Sequence, residues 1–209
     1  MTPEAFAARL PHLYRLSAAG RAASIRRHGL LCAASLARRA GHALPDRRRP
    51  AALDLVLPDG TPVRITDNAP LSEARLARVL DDGLTPADWM AMLNARVFFW
   101  PSRSAGLGNL AARTRLGYAS EWHVFDTARL LAPAWDRAEI APFNTGATVH
   151  VPPRRGRATF APLADLDFAE WRGRRRAAGV KKGLDAIAEV TVRGDLPEAG
   201  DALLEVVPA

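Results

Sequence analysis

A strand-like run near the C-terminus, residues 186–193, constrains this chain most. Ala188, Val190 and Val192 fall on one face, and Ile187, Glu189 and Thr191 on the other. That is the two-residue period of an extended chain. One carboxylate, Glu189, therefore sits between apolar neighbours. A buried acid is costly unless it has a partner or lines a cleft. Two readings follow: an edge-strand glutamate that points into water, or an acid that projects into a catalytic cleft.

The remaining segments set the fold class. Residues 13–17, 53–57, 62–66, 96–100, 121–126 and 202–207 read as strands. Asp59-Gly60 makes a turn that folds two of these into a hairpin. Thr2-Pro3-Glu4 and Thr85-Pro86-Ala87-Asp88 open helices, each with a capping hydroxyl, a proline in the first turn and an acid against the dipole. Further helices are expected over 18–27, where Gly29 supplies the left-handed cap, and over 33–40, 72–80, 107–116, 127–131 and 166–178. Phe143-Asn144-Thr145-Gly146 is a turn between strands, and 151–157 an exposed loop. Strands and helices mix without a regular βαβ alternation, so the fold class is α+β.

With 209 residues, 48% of them hydrophobic, the chain suits one domain over 1–209 with a sizeable core. A formal net charge of +7 favours polyanionic partners such as a nucleotide, DNA or RNA. The same charge also suits an arginine-rich chain from a GC-rich genome. Cys32 is alone, which leaves no intrachain disulfide and no cysteine-rich metal site, and suits the cytoplasm. No apolar run is long enough to span a membrane. Arg47-Arg48-Arg49-Pro50 and Arg174-Arg175-Arg176 read first as solvated charge runs, and second as phosphate contacts.

Several constellations are missing: the Gly-x-Gly-x-x-Gly fingerprint, the P-loop, the Gly-x-Ser-x-Gly elbow and the His-Glu-x-x-His zinc motif. The five histidines, His12, His28, His42, His123 and His150, lack metal-ligand spacing, so no metal is expected.

What remains is an ordered set. Leu13-Tyr14-Arg15-Leu16-Ser17 leads into a helix ending Ile25-Arg26-Arg27-His28-Gly29-Leu30. A middle strand carries Arg96-Val97-Phe98-Phe99-Trp100-Pro101-Ser102-Arg103, and a late one carries Glu189. In these residues the chain resembles the ADP-ribosyltransferase superfamily. It is most similar to the DarT-type enzymes that modify DNA bases, and to a bacterial domain family related to them.

The resemblance implies split sheets around a central cleft that takes NAD as substrate, with peripheral helices. It implies that Glu189 is the catalytic acid, and that an arginine, Arg64 or Arg96, assists it. Tyr14, Arg15, Ser17, Phe98, Phe99 and Arg103 would contact NAD, with the Ser17 hydroxyl at the nicotinamide end. Arg15 stands where these enzymes carry histidine, and an arginine there suits a phosphate. The implied activity is transfer of ADP-ribose to a nucleophile, a nucleic-acid base among the candidates. The alternative is a catalytically silent module of the same fold that binds a nucleotide or nucleic acid.

Overall fold

The computed structural model describes residues 1–149, 151–177, 179, 183 and 186–209. His150, and Ala178 at the expected end of the last helix, lie outside the described residues.

The chain opens with α1 (Pro3–Arg9), capped by the Thr2 hydroxyl, which accepts from the Ala5 amide at 3.2 Å. Strand β1 (His12–Ala18) follows, then α2 (Ala22–His28) and α3 (Ala33–Arg39). The hairpin β2 (Leu53–Val56) and β3 (Pro62–Ile65) turns at Asp59-Gly60, with Gly60 at φ 83°. Helices α4 (Glu73–Ala77) and α5 (Pro86–Asn94) lead into β4 (Arg96–Phe99). Next come α6 (Leu107–Arg115), β5 (Ser120–Asp126), α7 (Thr127–Leu131) and β6 (Ala138–Ala141). The chain closes with β7 (Ala161–Pro162), α8 (Phe168–Ala177), β8 (Glu189–Arg193) and β9 (Leu203–Pro208).

These strands form two larger sheets and the hairpin. One sheet has the order β1-β5-β9, and the other β4-β8-β6-β7. The strand pairings within them are antiparallel among the described residues, so the architecture is α+β. The sheets meet where Tyr14 and Trp100 exchange backbone hydrogen bonds of 2.9 and 2.7 Å. The main core lies between them: Leu13, Val97, Phe99, Phe125, Ile140, Val190 and Val192 all pack in one buried cluster. Phe99 and Phe125 meet edge-on at 5.6 Å between centroids. A smaller cluster of Leu71, Leu76, Trp89, Met90, Ala141 and Phe160 sits under the end of β6. No described helix is long and apolar enough to cross a membrane.

Strand β8 lies between β4 and β6, so Glu189 to Val192 are buried on both faces. The edge-strand reading of Glu189 therefore fails. The strand begins at Glu189 itself, and residues 186–188 precede it.

Other expectations also shift. The helix expected over 18–27 starts only at Ala22, because Ala18 still pairs with Ser120 in β1. Gly20, at φ 80°, then turns the chain, and the buried Glu121 carboxylate accepts from the Gly20 and Arg21 amides, each at 2.9 Å. The helix expected to reach residue 80 stops at Ala77, and Leu80 instead bridges to Arg155. The loop 151–157 is not wholly exposed, since Arg155 is 1% exposed. Nor is 47–49 wholly solvated, since Arg49 is buried.

Candidate active-site cleft

The site is built on the first residue of β8. Glu189 pairs with Ala141 at the end of β6, and the chain beyond Ala141 turns back over it. The turn has a sequence cause: the Asn144 side chain accepts from the Gly146 amide at 3.0 Å. This places Thr145 against the carboxylate. Glu189 Oε2 accepts from the Thr145 amide at 3.0 Å and from its hydroxyl at 2.7 Å.

A buried arginine holds that turn from behind. Arg155 Nη1 donates to the Thr145 and Ala147 carbonyls at 3.3 and 3.0 Å. Its guanidinium stands 4.8 Å from the Phe143 ring centroid and 5.7 Å from that of Trp89. Burial lowers the Arg155 pKa to about 10, and the Glu189 charge opposes that shift. Burial also dominates at Glu189, whose pKa rises to about 7. The Thr145 hydrogen bonds and the Arg155 charge pull the other way and are outweighed.

Glu189 lines a cleft of about 580 Å³ that runs along β1, β3, β4, α6 and the 144–147 turn. That volume suits a small organic ligand. Six arginines share the lining, namely Arg15, Arg49, Arg64, Arg96, Arg113 and Arg115, against the acids Asp67 and Glu189. The lining is therefore net positive, even with Arg64 paired to Asp54 and Arg96 to Glu139, and the acid whose pKa is about 7 lies among these arginines.

The structure brings most of the sequence-derived candidates to this cleft. Glu189, Arg64, Arg96, Arg15, Phe98 and Phe99 all line it. Ser17 lines a smaller adjoining pocket of about 100 Å³ that shares Arg15 and Arg64 with the cleft. Tyr14 and Arg103 stand outside both linings. Arg103 pairs with Glu205 at 3.1 Å, and its guanidinium lies 5.9 Å from the Tyr14 ring centroid.

The two arginines left open by the sequence differ sharply. Arg96 is locked into the fold. Its Nε donates to Glu139 Oε2 at 2.8 Å, its Nη1 to the Met92 carbonyl at 2.7 Å, and its guanidinium stacks 4.0 Å over Phe160. Arg64 grips Asp54 across the hairpin at 2.6 and 2.7 Å, through Nε and Nη2. That pair does not use its Nη1, and the guanidinium lies 5.4 Å from the Tyr118 ring centroid. Phe99 belongs to the core cluster, whereas Phe98 is only partly buried.

A family model described as a family of unknown function (DUF7002) matches residues 11–203. The chain belongs to DUF7002. No curated protein and no solved structure matches it. The DUF7002 match spans β1 to the first residue of β9, so every residue named in the cleft lies within it.

Thr145, Arg155, Asn94 and Arg113 were not singled out from the DUF7002 sequence, and Arg49 only within a run read first as solvated and second as a phosphate contact. Thr145 lay in a recognised turn, but no local pattern ties that turn to Glu189. Arg49 and Arg155 sat in arginine runs, which are solvated more often than buried. Chemically, the DUF7002 cleft can hold an anionic ligand against its arginine walls. It can also present a carboxyl group that gains or loses a proton near neutral pH.

Proposed function

We propose that the chain is an ADP-ribosyltransferase that takes NAD in this cleft and passes ADP-ribose to a nucleophile. One observation carries the reading: a buried carboxylate with a pKa of about 7 opens onto an arginine-lined cleft between two antiparallel sheets. Split sheets around a cleft, with a glutamate on a late strand, are what the resemblance leads one to expect. The net charge of +7 favours a nucleic-acid base as the acceptor class.

The chain's own groups suit the chemistry. Cleavage of the nicotinamide–ribose bond develops positive charge on the sugar, as in glycoside cleavage. The ionised Glu189 stabilises that charge and can accept the nucleophile's proton. Thr145 fixes one carboxylate oxygen, so the carboxyl is oriented before a ligand arrives. Phe98 and Trp100, both in the lining, offer flat surfaces to an aromatic ring. The arginines neutralise a pyrophosphate.

The test is nicotinamide release from NAD, with single- and double-stranded DNA and RNA offered as acceptors. Wild-type release that disappears in Glu189→Gln is expected. No release from the wild type, or equal release from the variant, overturns the enzymatic reading.

A second reading is a silent nucleotide-binding module of the same fold. It is favoured by Arg15, which stands where the resemblance leads one to expect a histidine and anchors its Nη1 on the Phe98 carbonyl at 3.0 Å. Saturable NAD binding without any nicotinamide release would support that module over the enzyme.

A further inference from the structure

Three arginines in the cleft come from three different elements: Arg15 on β1, Arg64 on β3 and Arg113 on α6. Their charges act on one another. Arg113 lowers the pKa of Arg15, and Arg64 lowers that of Arg113, in each case after desolvation as the larger cause. Two counter-charges stand nearby: Asp67, which pulls Arg113 and Arg49 the other way, and Asp54, whose hydrogen bonds raise the pKa of Arg64.

Each guanidinium is only partly used. Arg15 spends Nη1 on the Phe98 carbonyl. Arg64 spends Nε and Nη2 on Asp54. Arg113 spends Nε on the Ser120 hydroxyl at 2.9 Å. Arg113 is 8% exposed, and its buried Nη2 has no partner among the described residues. Asn94, 5% exposed on the same lining, likewise has an unpartnered Nδ2, while its Oδ1 accepts from Arg49. Buried donors without acceptors are costly, and a charged one most of all. Gathered like charges with spare N–H groups are relieved by an anion that brings several oxygens.

We infer that Arg15, Arg64 and Arg113 form a phosphoryl-group subsite, which takes the phosphate or pyrophosphate of a nucleotide. This deepens the reading above by naming where the ligand's phosphates sit, but it stands on the arginine geometry and needs no catalysis by Glu189. The arginine forks present paired N–H groups, which phosphate oxygens match and a neutral sugar or base does not. Arg113, Asn94 and Glu189 line the same cleft, so a single ligand can reach the anion site and the acid together.

Isothermal titration with inorganic pyrophosphate, ADP and adenosine tests the subsite, in binding alone and without turnover. Failure of nicotinamide release and failure of this site are therefore separate results. Pyrophosphate and ADP are expected to bind saturably and to displace one another, and adenosine to displace neither. Arg113→Lys and Arg64→Ala should each weaken both ligands at least tenfold, while the exposed Arg129→Ala leaves them unchanged. Melting curves identify any variant that has unfolded. Arg64→Ala, on the surface hairpin, serves if Arg113→Lys does not fold.

Three results overturn the inference. One is no saturable binding of pyrophosphate or ADP. Another is wild-type affinity in a folded variant of Arg113 or Arg64, or an equal loss in Arg129→Ala. The third is binding of a duplex oligonucleotide with pyrophosphate and ADP inert, which would assign the charge to a general nucleic-acid surface.

Discussion

Thr145 holds Glu189 through a single oxygen: its amide and its hydroxyl both donate to Oε2, at 3.0 and 2.7 Å. Two donors on one oxygen fix the carboxyl plane and favour its ionised form. Burial opposes them and wins, which leaves the group near pH 7. The balance is adjustable one hydrogen bond at a time.

Thr145→Val keeps the amide donor and the shape but removes the hydroxyl. The Glu189 pKa should then rise above about 7, because the side-chain hydrogen bond that lowers it is gone. On the proposed activity, nicotinamide release followed against pH should reach half its maximum at a higher pH than in wild type. Stability should fall by about 1 kcal/mol, the usual worth of one such bond. An unmoved pH profile would mean that the hydroxyl does not tune the acid.

Glu189 also makes folding depend on pH. Its folded pKa, about 7, lies above the ordinary value of 4.5. Below pH 4.5 the group is neutral in both states, and its contribution to stability is fully present. As pH rises towards 7 the unfolded chain gives up its proton first, so that contribution is lost. The loss is on the order of 3 kcal/mol at about 1.4 kcal/mol per pKa unit. Denaturant unfolding at pH 4.5 and pH 8 should show Glu189→Gln gaining on wild type by roughly that amount at the higher pH. Parallel pH dependences in the two proteins would contradict the buried, raised pKa.

Arg64 and Arg96, the two arginines left open by the sequence, should separate by stability. Arg96 and Glu139 have side chains only 9% and 7% exposed, so Arg96→Met removes the main partner of a buried carboxylate and leaves it Arg193 at 3.2 Å and the Thr191 hydroxyl at 3.4 Å. Because those partners persist, a cost of about 3 kcal/mol follows, the low end for a broken buried pair, read as a fall in the denaturation midpoint. Arg64→Ala removes a pair whose Asp54 side chain is 63% exposed, so the midpoint should barely move. Comparable midpoint shifts in both variants would reverse this division of labour.

Gly29 is a backbone test of the same region. It closes α2 at φ 71°, with its amide on the Ile25 carbonyl at 2.8 Å. A Cβ there would lie 2.2 Å from the Leu196 carbonyl oxygen and 2.5 Å from Pro197 Cα. Gly29→Ala should therefore cost about 3 kcal/mol or more, since left-handed strain adds to a backbone clash. A melting temperature close to wild type would show that the 196–197 segment yields.

Local chemistry made much of this fold legible. The Asp59-Gly60 hairpin, the capping box of Thr85 and Asp88, and the short helix Thr127–Leu131 all stand where turn and cap residues put them. The turn at 143–146 implied a strand before it, but the bounds and place of β6 were not legible. Its four residues, Ala138 to Ala141, are all buried and include Glu139, so they show neither alternation nor a β-branched run. Nothing local tied that strand to the late one, so the contact of Thr145 with Glu189, 44 residues away, could not be foreseen. The arginine runs misled for a related reason. Arg49, Arg155 and Arg175 are buried because carbonyls and rings from distant segments receive them. Periodicity carries no trace of such partners.

The seam between Tyr14 and Trp100 has a consequence for how this frame can diversify. Peptide groups, not side chains, join β1 to β4 there, and peptide groups are the same whatever amino acid bears them. The gap between the two walls is thus insulated from substitution. Members built on this frame can exchange the side chains along either wall, and so retarget what the hollow accepts, while its span stays constant.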